Sequence, residues 1–165
     1  DSGLFSLERG RSLLDGPHWS RTYRTSDAGF VSVQCLEPKF YAQFLDRMGL
    51  AGDPDFAAQF DPALWPAQSE RLSAIFASET RAHWADLFRG TDCCVAPVLD
   101  PSEAARDPHM AARQVWHEGG GRLQAAAAPR FSGEGDRSPR PSPARGQHTE
   151  EILAELRQGK KSPGR

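Results

Sequence analysis

The chain has 165 residues, of which 38% are hydrophobic and 25% charged, and its formal net charge is −2. These values are ordinary for a globular domain, and the near-neutral balance argues against a nucleic-acid binder, which usually carries a basic face. No apolar run reaches the roughly 18–20 residues of a membrane span, and the first residues lack the basic-then-apolar pattern of a signal peptide.

The N-terminal segment shows no clear hydrophobic period, so residues 1–15 are predicted to be a linker. Because the first residue is Asp1 rather than Met, we expect a piece of a longer chain. A β-hairpin is predicted next, with strands at 22–25 and 30–36 and turn residues between them. One face of the second strand carries three apolar residues: Val31, Val33 and Cys35.

Three helices are predicted to follow the hairpin. The first begins at Pro38, which suits the first helical position because it lacks an N–H, and ends at Gly49. The second spans about 66–78, and the third spans about 81–89 with Thr80 as its cap. The apolar face of the first helix carries Phe40, Tyr41, Phe44, Leu45 and Met48.

An Asp- and Pro-rich connection, residues 52–66, joins the first two of these helices and is predicted to be ordered. Four large apolar side chains are expected to anchor it in the core: Phe56, Phe60, Leu64 and Trp65.

A short apolar strand is predicted at 93–99, where Pro97 indicates an edge or a bulge because it cannot donate to a ladder. Asp100 begins a capping box and a short helix, and Pro108 begins another helical turn. A second hairpin is predicted from strands at 114–117 and 122–126.

The composition changes after Ala128. Residues 129–146 form a Pro/Arg-rich linker that cannot bury enough apolar surface to order itself. A C-terminal helix is predicted at 147–158 with Thr149 as its cap, followed by a disordered tail at 159–165. The predicted fold class is therefore α+β: a small antiparallel sheet with packed helices over residues 16–128, then the Pro/Arg-rich strap and the C-terminal helix.

The cysteines and histidines limit the kind of site that the chain can hold. Cys35, Cys93 and Cys94 are odd in number and two of them are adjacent, which favours a reducing compartment, the cytoplasm, over a disulfide framework. Cys93 and Cys94 are interpreted as small apolar residues of a strand. The five histidines show no ligand spacing with Cys or Asp, so we expect no metal site.

Glu37 stands between the second predicted strand and the first helix. Unpaired N–H groups and the positive end of the helix dipole favour a carboxylate at such a position. Position alone leaves two interpretations open: an acid that stabilises the start of the helix, or a residue of a functional site.

Four stretches of sequence point to a family. They are TYRTSD at 22–27, LEPKFY at 36–41, GTDCCVAPVL at 90–99 and HTEEIL at 148–153. In this order and at this spacing they resemble the α-methylacyl-CoA racemases, a branch of the class III CoA-transferase superfamily. The resemblance covers most of residues 16–158 and corresponds to the C-terminal portion of the family chain, which contains its small domain.

The resemblance implies an isomerase of fatty-acid metabolism in which Glu37 is a catalytic acid/base group. The implied reaction is a 1,1-proton transfer, in which the α-proton of a 2-methylacyl-CoA is removed and returned from the opposite face. The CoA thioester is then the substrate, and no separate cofactor is expected. The candidate substrate-binding residues are Tyr23, Arg24, Leu36 and Pro38; for Tyr23 and Arg24, cross-strand pairing is the alternative.

In this family a His and an Asp from an N-terminal, Rossmann-like half complete the site, and the protein forms an interlocked homodimer. Nothing in these 165 residues matches that half, so the chain alone is expected to be inactive. Two alternatives stay open. One is a class III CoA-transferase that moves CoA between carboxylic acids, and the other is a truncated, inactive small domain that acts only in folding or dimer assembly.

Overall fold

The computed structural model describes residues 5–119, 121–133 and 142–159. The chain divides after Val98 into two compact units. The predicted α+β class is confirmed, since helices and antiparallel strands make up the structure. The first unit contains β1 (Ser20–Arg24), β2 (Phe30–Gln34), α1 (Pro38–Arg47), a 3₁₀ turn (Pro54–Phe56), α2 (Trp65–Phe76), α3 (Arg81–Phe88) and β3 (Val95–Pro97). The second contains α4 (Pro101–Arg106), α5 (Pro108–Ala112), β4 (Trp116–Gly119), β5 (Arg122–Ala125) and α6 (Thr149–Arg157).

The predicted first hairpin is confirmed, with β2 as the centre of a three-stranded antiparallel sheet in the order β1-β2-β3. Tyr23 pairs with Val31 on one side of β2, and Val33 pairs with Val95 on the other. β2 ends at Gln34, two residues before the predicted end, because the next two carbonyl groups bind the side chain of Gln59 instead of a strand.

Alternate side chains along β2 and the residue after it contribute to the core of the first unit. Val31, Val33 and Cys35 all lie on the buried face, as the sequence pattern predicts. Aromatic rings from the helices cover this face, with Phe44 stacked between Phe76 and Phe88 at ring-centroid distances of 6.5 and 5.9 Å. The predicted apolar face of α1 is confirmed: Tyr41 and Phe44 are buried, and Phe40, Leu45 and Met48 are partly buried against the core.

The helix ends follow the local chemistry. α1 ends before Gly49, whose φ of +68° is a left-handed conformation that glycine adopts without strain. Thr80 caps α3 by accepting a hydrogen bond from the His83 N–H at 3.2 Å, as predicted. In the second unit, Asp100 and Glu103 form the predicted capping box at α4.

The connection between α1 and α2 corrects one prediction. Phe56 and Trp65 are buried, with 0% and 7% of their surface exposed, but Phe60 is 50% exposed and Leu64 is 38% exposed. The reason is the inward position of Gln59, whose carbonyl accepts hydrogen bonds from two indole groups. With Gln59 and Trp65 turned inward, their neighbours Phe60 and Leu64 face outward.

Two further predictions are wrong. Cys93 and Cys94 precede β3 rather than belong to it, and Cys94 is exposed with a φ of 52°, which no strand residue adopts. Thr149 is the first residue of α6, not its cap; His148 holds the cap position and makes no side-chain capping hydrogen bond. β3 lies at the edge of the sheet, which is one of the two positions that the presence of Pro97 predicts.

The second unit contains the second predicted hairpin, in which Trp116 pairs with Ala125. α6 exposes Ile152, Leu153 and Leu156. The central residue of the hairpin turn, Gly120, lies outside the described residues, as do residues 134–141 of the predicted linker and 160–165 of the predicted tail. Across the described ranges, no helix is both long and apolar enough to cross a bilayer.

His18 is fully buried between Tyr41 and Phe56. Its Nε2 lies 2.7 Å from the Tyr41 hydroxyl, which donates in turn to the Phe56 carbonyl at 3.1 Å. This arrangement assigns the imidazole proton to Nε2 and leaves the buried Nδ1 without a partner among the described residues. Burial lowers the pKa of His18 to about 4, because a charged imidazole here would lose its hydration.

This histidine makes the stability of the chain depend on pH. The unfolded chain takes up a proton at His18 near its ordinary value of about 6.5 and the folded chain near 4, so stability falls as the pH drops through that window. We expect the free energy of unfolding to be about 2 kcal/mol lower at pH 5 than at pH 7. His18→Gln should remove most of this difference in urea titrations. The matched change at the exposed His109 should leave it in place, and an equal loss in both variants would contradict the assignment.

The two phenylalanines of the connection provide a second test. Phe56→Ala should cost about 3–5 kcal/mol of unfolding free energy because it opens a cavity beside His18. Phe60→Ala should cost about 1 kcal/mol, since it loses only an edge contact with Trp19. Urea unfolding of both variants measures the difference, and equal costs would show that Phe60 is a core anchor after all.

Candidate active site at the β2–α1 junction

Glu37 occupies the N-cap position of α1 with extended backbone angles, φ −74° and ψ 136°. Its carbonyl oxygen accepts hydrogen bonds from Phe40 and Tyr41, both at 3.0 Å, and so begins the helix. Its side chain makes no capping hydrogen bond, and the residue is exposed. Within the described part of the chain this carboxylate has neither a hydrogen bond nor an ion pair. The carboxylate thus lies exposed at the start of α1 without contributing a capping bond to it.

The side chain of Gln59 binds the backbone segment that immediately precedes Glu37. Its side-chain amide donates to the carbonyls of Cys35 at 3.1 Å and Leu36 at 2.8 Å. Its own carbonyl accepts the indole N–H groups of Trp19 and Trp65 at 2.9 and 3.0 Å. The sequence prediction missed Gln59. The available signal was a polar residue in a segment rich in core anchors, since a buried polar side chain must find partners.

The structure places two of the predicted substrate-binding residues beside Glu37 and two elsewhere. Leu36 and Pro38 flank it and are exposed. Arg24 is exposed but pairs with Phe30, the first residue of β2, whereas Glu37 follows the last residue of that strand.

Tyr23 is buried in the core of the first unit. Its ring stacks on Phe76 at 4.9 Å, and its hydroxyl donates to the His18 carbonyl. Burial raises the pKa of Tyr23. These contacts favour a structural role for Tyr23, and its predicted contact with substrate stays a prediction.

Cys94 is a second exposed group near the junction. Its carbonyl accepts the Gln34 N–H at 3.0 Å, which continues the pairing of β2 with the β3 segment. Desolvation raises the pKa of the Cys94 thiol, and the charge of Glu37 adds to the effect. A thiol with a raised pKa stays protonated at neutral pH and is a weak nucleophile. The proposed role of Glu37 in proton transfer stays a prediction at this point.

No three His, Cys, Asp or Glu side chains come together as a possible metal site in the ranges that the structure describes. The expectation that the protein binds no metal stays a prediction.

Comparison with known proteins places the chain in a family. The sequence profile of CoA-transferase family III matches residues 8–149. The chain is 36% identical to α-methylacyl-CoA racemase from Mus musculus in an alignment that covers 93% of this chain and 41% of the mouse protein. It is also 30% identical to acetyl-CoA:oxalate CoA-transferase from Acetobacter aceti, over 72% of this chain and 31% of that protein.

A solved structure supports the fold. Rv3272 from M. tuberculosis superposes with a TM-score of 0.59 and 17% identity, over 78% of this chain and 38% of the matched chain. The chain thus spans less than half the length of these relatives. The extent of the profile match, together with the racemase similarity, shows that this chain belongs to CoA-transferase family III.

Proposed function

We propose that this chain is the C-terminal part of an acyl-CoA racemase that epimerises 2-methylacyl-CoA thioesters, with Glu37 as one acid/base group. The observation that carries the proposal is the exposed Glu37 carboxylate, which has no capping bond and no ion pair in the described residues. The 36% identity to a racemase over nearly the whole chain supports the same reaction class.

The chemistry requires a group of this kind. The α-carbon of a thioester is a weak acid, so its proton leaves only to a positioned base while the enolate oxygen is stabilised. General acid/base catalysis of such a step is typically worth about 10²–10⁴-fold in rate, and fixed donors at the enolate oxygen contribute comparably. In the proposed step the Glu37 carboxylate accepts the α-proton, or returns it, on one face of the planar enolate.

Inversion needs a second acid/base group on the opposite face. The resemblance to the racemases implies a His and an Asp from an N-terminal Rossmann-like half, which would also carry most of the CoA-binding surface. We therefore propose that the chain by itself is inactive and acts as part of a longer protein in an interlocked homodimer. Because all three of its cysteines are free thiols, we propose the cytoplasm as its location.

A CoA-transferase is the second candidate, supported by the 30% identity to the Acetobacter enzyme. In that reaction an aspartate carboxylate attacks the thioester carbonyl, which gives an acyl–aspartyl anhydride and CoA thiolate. The thiolate then attacks the aspartyl carbonyl, releases the first acid and leaves an aspartyl-CoA thioester, from which the second acid takes up CoA by the reverse steps. The two candidates differ in which bond breaks: the α C–H bond in the racemase and the C–S bond in the transferase.

The full gene product, incubated with a single epimer of a 2-methylacyl-CoA in deuterated water, should incorporate α-deuterium and yield both epimers. Glu37→Gln should reduce this exchange by about 10²–10⁴-fold because it removes the base. Glu70→Gln, an exposed change on α2, is the matched control and should exchange normally. CoA transfer to an added carboxylic acid without α-exchange would favour the transferase and contradict the racemase proposal.

A stability measurement separates a site role of Glu37 from a capping role. Glu37→Gln should change the free energy of unfolding by less than about 0.5 kcal/mol, because no hydrogen bond of the helix depends on the carboxylate. Thr80→Ala should cost about 1 kcal/mol, since Thr80 does cap α3. Equal losses in the two variants, measured by urea titration, would return Glu37 to a structural role.

A further inference from the structure

We propose that Gln59 is a positioning residue for Glu37, and this inference rests on the proposed proton-transfer function. The Glu37 side chain has no hydrogen bond of its own within the described residues. Its location therefore depends on the backbone that precedes it, and that backbone is bound by one side chain, Gln59.

The side chain of Gln59 binds two successive peptide groups before Glu37. The amide of Gln59 has two hydrogens, and two successive carbonyl groups, those of Cys35 and Leu36, accept them at 3.1 and 2.8 Å. Leu36 immediately precedes Glu37. Both peptide planes before the proposed base are thus oriented by the same group, at the point where the chain changes from strand to helix.

Gln59 is itself fixed by burial and by hydrogen bonds. It is buried, and its own carbonyl accepts the indole N–H groups of Trp19 and Trp65, which are buried as well. The Trp19 carbonyl accepts the Cys35 N–H at 3.1 Å. Trp19, Gln59 and Cys35 therefore form a closed ring of hydrogen bonds, and the Leu36 carbonyl is attached to it.

The position of the Glu37 carboxylate matters for the rate of proton transfer. A displacement of about 1 Å in a reacting group can cost about 100-fold in rate, because the proton donor and acceptor lose alignment. A side chain that lacks the amide hydrogens would free the Cys35 and Leu36 peptides to rotate. The Glu37 carboxylate would then sample orientations away from the substrate α-carbon, although the helix that it begins would remain.

The experiment compares two glutamines with the same chemistry in the full gene product. Gln68 is also buried, and its amide donates to the Asp55 carbonyl at 2.7 Å, away from the Glu37 peptide. We expect Gln59→Met to lower kcat for α-proton exchange by about 10–100-fold with little change in KM, which is the signature of a misplaced reacting group. Gln68→Met removes one buried amide hydrogen bond, where Gln59→Met removes two, and should leave kcat within about twofold.

A double variant tests whether Gln59 acts through Glu37. If it does, Glu37→Gln combined with Gln59→Met should be no slower than Glu37→Gln alone, because the positioned base is already absent. If Gln59→Met reduces the folded yield, Gln59→Asn is the second variant. It keeps the amide but is one methylene shorter, and its kcat should lie between those of Gln59→Met and the unchanged protein.

The possible results separate the two proposals. Slow exchange in Glu37→Gln with normal kcat in both Gln59 variants would overturn the positioning role and leave the proposed function intact. Effects that multiply in the double variant would also overturn the positioning role. Normal exchange in Glu37→Gln would overturn the proposed role of Glu37 and, with it, the role of Gln59.

Discussion

The two-sided pairing of β2 is the constraint on which the first unit depends. β1 binds one edge of this strand and β3 the other, so its register is determined from both sides. Val31 and Val33 face the core, and the other residues of β2, which alternate with them, are exposed or half-buried. A slip of one residue would turn the apolar face outward and invert every side chain that follows. The direction in which Glu37 leaves the sheet is set by the same register.

In the connection between α1 and α2, side-chain hydrogen bonds replace the backbone pairing of a helix or strand. Its backbone acceptors are bound one after another by side chains from outside it. The Asp55 carbonyl accepts from Gln68, the Phe56 carbonyl from Tyr41, and the Gln59 carbonyl from two tryptophans. Arg71 adds ion pairs at 2.6 Å to Asp53, which caps the 3₁₀ turn, and at 2.9 Å to Asp55 within it. Buried carbonyl groups must be paired. These side chains supply the partners, so a segment that pairs with no strand of a sheet can still lie in the core.

Local patterns predicted much of this fold, and contacts between distant residues determined the rest. The period of α1 predicted its buried face, and turn chemistry predicted both hairpins and the capping box at Asp100. The outward position of Phe60 could not be predicted, since it follows from two hydrogen bonds that the Gln59 carbonyl accepts from Trp19 and Trp65. Tyr23 is a similar case: strand alternation indicates a face, but only the stacked Phe76 ring shows that this face lies in the core. The sequence predicted three residues of the candidate site, Leu36, Glu37 and Pro38. It did not predict Gln59, which binds the backbone before Glu37.

Pro97 affects whether a strand of another molecule can pair with the outer edge of β3. Val98 and Cys94 exchange hydrogen bonds with β2, so in the register of β3 the backbone groups of Val95 and Pro97 point away from the sheet. Proline has no N–H, and the outward edge of this three-residue strand therefore presents a single donor, that of Val95. An edge with one donor is a poor template for a further strand. The sheet that carries Glu37 is thus protected on this side against growth by strand addition, the route by which exposed edges start aggregation.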